Sequence, residues 1–132
     1  MNPKVKAFFD TATYTLSYVV SCPATRRAAI IDPVLDFDAR AGRTSTHSAD
    51  AIIAFCRAED LAVEWVLETH VHADHLSAGG YLKDAFGAKL GIGENVVAVQ
   101  RTWAEIYDIA NEVKVDGSQF DHRFHGGEVF RL

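Results

Sequence analysis

Three imidazoles and a carboxylate fall within six consecutive residues of this chain, in the stretch Thr69-His70-Val71-His72-Ala73-Asp74-His75. Neutral imidazole nitrogens and carboxylate oxygens are the donors that Zn²⁺ and Fe(II) take, so residues of these types at this spacing point to a metal centre. The 132 residues hold six His and eleven Asp, and at that composition a shuffled chain yields H-x-H-x-D-H about once in a thousand trials. A polar surface turn with solvated histidines is the competing reading, and nothing about a turn calls for three His at this spacing.

His70 and His72 lie two residues apart on a chain leaving a strand, so both can face one side and address one ion. Asp74 and His75 come where the chain turns toward the next helix. They can face a neighbouring ion or orient the first. His47, His122 and His125 lack partners at ligand spacing and read as surface residues or as supports for other ligands.

The elements that must position this motif follow from the hydrophobic pattern. Val63, Trp65, Val66 and Leu67 form an apolar run within Leu61–Glu68, a buried strand that delivers the motif. Before it, Val5–Phe9 and Tyr14–Ser21 read as an antiparallel pair, and Ala28–Ile31 as a third strand of a small meander. Asp32-Pro33 ends that strand. Asp32 is left at the edge where α/β folds place chemistry, or simply begins a turn. A polar loop, Leu35–His47, precedes a helix over Ala49–Glu59 with Ser48 as its N-cap and Ile52, Ile53 and Cys56 on its buried side. After the motif, the pattern predicts a helix over Leu76–Phe86 that tolerates Gly79-Gly80 through close approach to the metal loop or sheet. A strand over Lys89–Ile92 follows, then a helix over Val96–Tyr107 with Val99, Trp103, Ile106 and Tyr107 packed inward. A Gly126-Gly127 turn leads to a strand over Val129–Leu132. Strands alternating with helices imply a layered α/β (α+β) fold in one domain over residues 1–132.

Composition narrows the class further. A hydrophobic fraction of 48% suffices for a core, and a net charge of −5 without a basic run argues against a nucleic-acid surface. No apolar stretch reaches the ~20 residues needed to cross a bilayer, and the first residues lack a signal-peptide core, so the expectation is a cytoplasmic protein without a membrane partner. Cys22 and Cys56 are too few and too far apart for a disulfide framework, and Cys56 reads as a small apolar core residue.

The H-x-H-x-D-H motif after a buried strand, followed by Ser77-Ala78-Gly79-Gly80, resembles the metal motif of the metallo-β-lactamase fold superfamily. Ile31–Asp38 with Gly42-Arg43-Thr44, and Gly93-Glu94-Asn95-Val96-Val97, resemble its persulfide dioxygenase branch more than typical glyoxalase II. The resemblance implies the N-terminal half of an αββα sandwich, incomplete at the C-terminus, with the remaining His and Asp ligands expected beyond Leu132. It also implies that Asp32 supports the metal loop. For a persulfide dioxygenase it implies a single Fe(II) held by His70 with a downstream His and Asp, oxidising glutathione persulfide, with His72, Asp74 and His75 supporting the site or handling protons and Asp74 as the candidate catalytic carboxylate. For a glyoxalase II-like hydrolase it implies Zn²⁺ on His70 and His72, with Asp74 and His75 holding a second metal, and a glutathione thioester as substrate. A third expectation is an inactive fragment whose open sheet edge leaves room for a homodimer.

The expected outcome for residues 1–132 alone is catalytic silence. Fe(II)- and Zn²⁺-reconstituted chain should neither oxidise glutathione persulfide nor cleave a glutathione thioester, and turnover comparable to an intact relative would show that the site is complete within it.

Overall fold

A computed structural model describes residues 2–132. Strand β1 (Lys4–Asp10) pairs antiparallel with β2 (Thr15–Ser21), and β2 with β3 (Arg27–Ile31). From there the sheet continues parallel through β6 (Ala62–Leu67), β8 (Lys89–Gly93) and β9 (His122–Phe124), in the order β1-β2-β3-β6-β8-β9. Parallel neighbours require crossovers, and helices α1 (His47–Ala58), α2 (Gly79–Phe86) and α3 (Val96–Ile106) lie on them. A smaller sheet holds β5 (Arg43–Ser45), β4 (Val34–Asp38) and β7 (Leu76–Ser77), in that order.

The core lies between the large sheet and helices α1 and α2. Val19, Ile30 and Val66 from the strands meet Ile52 and Cys56 of α1 and Leu82 of α2, all nearly inaccessible to solvent. Burial pushes the Cys56 thiol up to about 11, as expected of a thiol packed as an apolar group. Alternation along β6 puts Trp65 on the other face, where its ring packs against Phe124 at 5.3 Å and Phe130 at 5.5 Å between centroids. No helix is long and apolar enough to cross a membrane among the described residues.

Several expected elements shift. The stretch Leu35–His47 is mostly a hairpin of β4 and β5 rather than a loop. Asp38 accepts hydrogen bonds from the amides of Arg40 and Ala41 at 2.9 and 3.2 Å, and Gly42 turns at φ +59°, a tight turn that charged neighbours disguised. Helix α1 begins at His47, and Ser48 does not cap it. Instead the Asp36 carboxylate accepts the Ser48 amide at 2.8 Å and its hydroxyl at 2.6 Å, so the cap comes from β4. The helix expected from Leu76 starts at Gly79, because Leu76 and Ser77 pair with Leu35 and Val34. No strand forms over Val129–Leu132, since His122–Phe124 already pairs with Gly91–Gly93.

Helix α3 departs most from expectation. Trp103, Ile106 and Tyr107 are 46%, 62% and 65% exposed, and the buried residues of this helix are Val96 and Ala104. Apolar spacing gave the correct period, but the face it marks is turned outward, with Trp103 and Tyr107 stacked at 5.5 Å.

These packing assignments predict opposite outcomes for two truncations. Leu82→Ala should destabilise the chain by about 2–5 kcal/mol in urea unfolding, and Ile106→Ala should stay within about 0.5 kcal/mol of wild type. Equal effects would contradict the burial described.

Candidate metal centre

The three parallel strands β3, β6 and β8 run in one direction, so their C-terminal ends lie along one edge of the sheet, where open α/β sheets place ligands. Asp32 follows β3 and the segment Glu68–His75 follows β6 at that edge. The Asp32 amide donates to the Leu67 carbonyl and the Glu68 amide to the Gly91 carbonyl, each at 2.9 Å. Asp32 adopts φ +49°, a left-handed turn conformation that Asp tolerates better than most residues. Its Oδ1 and Oδ2 accept the Thr69 amide and hydroxyl, both at 2.7 Å. Asp32 is therefore both the turn residue and the support of the metal loop.

The motif's imidazoles gather. The rings of His70 and His72 have centroids 4.3 Å apart, and those of His72 and His75 are 4.2 Å apart. One ligand atom from each of His72, Asp74 and His75 lies within 4.8 Å of the others. His70 sits beside this group on the exposed side.

Hydrogen bonds fix which nitrogen each ring offers. Thr69 Oγ1 gives its proton to Asp32 and so accepts from His70 Nδ1 at 2.8 Å, leaving His70 Nε2 with a lone pair. His72 Nε2 faces two carboxylate oxygens, Asp32 Oδ1 at 2.9 Å and Glu68 Oε2 at 3.0 Å, so it carries the proton and Nδ1 is free. His75 Nδ1 donates to the Leu76 carbonyl at 2.9 Å, leaving Nε2 unprotonated. Among the described residues, His75 Nε2 is the one buried side-chain nitrogen or oxygen without a hydrogen-bond partner. A buried acceptor without a donor is costly, and a cation supplies what it lacks. These donors fit Zn²⁺ or Fe(II), which would be held by His70, His72, Asp74 and His75.

The local electrostatics favour a cation. Burial holds the His72 imidazole below its usual range, with Asp32 opposing, so the ring is neutral and ready to ligate. Burial raises the Glu68 carboxyl to about 7, although the Ser77 hydroxyl partly offsets this. Asp74 is exposed, and its own amide first, then Thr15, whose hydroxyl donates at 3.2 Å, keep its carboxyl below the ordinary range.

A cleft of about 640 Å³ opens on His72, Asp74 and His75, walled by the β4–β5 hairpin through Leu35–Asp38 and Arg43–Ser45 and by Asp10 and Thr13. This is the size range of small-molecule sites. A second cleft of about 360 Å³, lined by Val71, Leu90, Ile92 and Phe120, opens on His70. The remaining histidines lie outside the group: His47 is exposed, His122 pairs with Glu128 at 2.6 Å, and His125 with Glu94 at 2.5 Å. Sequence reasoning missed Glu68, Ser77 and Thr15. A carboxylate ending an apolar strand four residues before His72 was the available signal for Glu68, whereas nothing local marks Thr15, which is brought in by the β1–β2 turn.

Residues 10–131 match the model of the metallo-beta-lactamase superfamily. The chain belongs to that superfamily. It is 51% identical over 131 residues, 99% of its length, to a beta-lactamase hydrolase-like protein of Xylella fastidiosa, and 41% identical over 130 residues to Glyoxylase B2 of Dictyostelium discoideum. It spans 30% of the first of these relatives and 44% of the second. Among solved structures, ETHE1 from Myxococcus xanthus is similar with a TM-score of 0.56 and 32% identity, over 67% of this chain and 34% of that one. The fold is thus part of a metallo-beta-lactamase domain, as the motif implied, and members of this superfamily bind metal ions at such His and Asp groups.

The site predicts selective loss on mutation. Zn²⁺ affinity measured by chelator competition should fall roughly a hundredfold in His75→Ala and stay unchanged in His122→Ala. Equal affinities in the two variants would remove His75 from the centre.

Proposed function

We propose that this chain supplies the metal motif and part of the substrate cleft of an Fe(II)-dependent persulfide dioxygenase that converts glutathione persulfide, O₂ and water to glutathione and sulfite. The observation that carries this reading is the position of the β4–β5 hairpin. The segment from Asp32 to Thr44, which resembles that branch of the superfamily, forms the cleft wall beside His72, Asp74 and His75. The likeness to ETHE1 is compatible with it.

In this reading His70 is the iron ligand from this segment, its Nε2 freed by Thr69, and a further His and Asp complete the set. Fe(II) held by two imidazoles and one carboxylate would leave positions open for O₂ and a sulfur substrate. His72 and His75 border the site, and Asp74, kept ionised by its hydrogen bonds, is the proton-handling carboxylate of this reading, although its lowered carboxyl makes it a weak base. Asp32 and Thr69 hold the loop rigid at the strand edge.

A zinc-dependent thioester hydrolase is the second reading, favoured by the convergence of His72, Asp74 and His75 and by the likeness to Glyoxylase B2. With Zn²⁺, bound water would lose a proton near neutral pH and the substrate carbonyl would be polarised.

The two readings separate by assay. A protein carrying this chain together with the remaining ligands, loaded with Fe(II), should consume O₂ and form sulfite in equal amounts from glutathione persulfide, and His70→Ala should abolish both. Thioester cleavage with zinc and no O₂ uptake would replace the dioxygenase by the hydrolase.

A further inference from the structure

We infer that Glu68 is a positioning residue for His72, holding its imidazole in the tautomer and orientation that leave Nδ1 to the metal. The inference rests on the zinc reading, in which His72 is itself a ligand; in the dioxygenase reading His72 only borders the iron. Glu68 is the residue after β6, its side chain is 5% exposed, and both of its oxygens are used. Oε2 accepts from His72 Nε2 at 3.0 Å, and Oε1 accepts from the Ser77 hydroxyl. Ser77 Oγ in turn accepts the Gly79 amide at 2.9 Å, so the carboxylate is anchored to the start of α2.

The surroundings are built around this group. A Cβ at Gly79 would lie 2.8 Å from Glu68 Oε1 and 2.9 Å from Leu90 Cδ1, closer than real contacts allow, whereas one at Gly80 would meet nothing within 4 Å. Of the two helix glycines, only Gly79 lies against other groups, and a side chain there would have to displace the Glu68 carboxylate, Leu90 and the Ser77 hydroxyl. Burying a carboxylate is unfavourable unless its oxygens are paired. Joining β6 to α2 needs no charge, since Ser77 already bonds the Gly79 amide. A buried carboxyl oxygen aimed at the non-ligating nitrogen of an imidazole is explained by a task at that imidazole. An acceptor there fixes the ring and strengthens the donor power of the opposite nitrogen.

Asp32, Glu68 and His72 also have ligand atoms within 4.8 Å of one another and could in principle hold an ion themselves. Each of those atoms is satisfied by hydrogen bonds, so the carboxylates serve His72 rather than a second centre.

The test uses the whole ¹⁵N-labelled chain. In the metal-free protein, long-range ¹H–¹⁵N spectra should show His72 protonated at Nε2, and Glu68→Gln should give a mixture of tautomers. Zn²⁺ affinity by chelator competition should fall roughly 10–100-fold in Glu68→Gln, and by a smaller factor in Ser77→Ala, with circular dichroism unchanged. A proton on Nδ1 in wild type overturns the inference without any variant. So does Glu68→Gln with wild-type tautomer and affinity, or zinc bound through His72 Nε2. Should Glu68→Gln unfold, the wild-type spectrum and Ser77→Ala decide. Failure of wild-type chain to bind Zn²⁺ at all would instead remove the metal reading, a result distinct from the tautomer.

Discussion

A single nitrogen, His72 Nε2, sits between the carboxylates of Asp32 and Glu68, and the rest of the molecule is arranged so that this meeting can occur. The two acids lie 36 residues apart in sequence, since Asp32 follows β3 and Glu68 follows β6. They are brought together because those strands are parallel neighbours in register, Ile31 opposite Leu67, so the next residue of each emerges at the same edge. An antiparallel pairing would have sent the two carboxylates to opposite ends of the sheet. The crossover that makes the strands parallel contains the hairpin and α1, so the cleft wall and the carboxylate pair are products of one connection.

That connection is itself held by a carboxylate. Asp36 points from β4 to the first turn of α1, where its oxygens take the Ser48 amide and hydroxyl. Free amides at a helix start need acceptors, and here the acceptor lies on the strand that lines the cleft. The wall facing Asp74 and His75 is thereby tied to a helix whose other side, through Ile52 and Cys56, is sealed in the core. Rigid packing thus reaches the cleft through two hydrogen bonds.

Strands β1, β2, β3, β6 and β8, the three helices and the ligand motif were legible in the sequence because each is a local pattern: β-branched runs, turn residues and His spacing. The α/β layering followed from strand and helix alternation. What escaped depended on contacts distant in the chain. Asp36, Asp38 and Arg43 made β4 and β5 look like a loop, since these strands lie in a three-stranded sheet with largely exposed, charged side chains. Helix α3 had the right period, but periodicity marks an apolar face without saying what covers it. Glu68 looked like the polar end of a strand, and only the approach of Ser77 from β7 and Gly79 from α2 shows that it faces inward.

The pattern of satisfied and unsatisfied atoms shows how the site distinguishes a metal from a proton. Every imidazole nitrogen pointing away from the cluster has an oxygen partner: Thr69 for His70, two carboxylates for His72 and the Leu76 carbonyl for His75. The protons are therefore committed to the outward nitrogens, and the lone pairs remain on the inward ones, where His75 Nε2 is buried with no donor. Protonating that cluster would place positive charges on rings only 4.2–4.3 Å apart, and for His72 burial already opposes the charged form. One divalent ion would answer several lone pairs at once, with Asp32, Glu68 and Asp74 nearby to balance it. Because these donors converge only when β3, β6 and the loop are in place, ion binding would add its free energy to the folded state alone. The fold that assembles these donors would in this way be stabilised by the ion they fit.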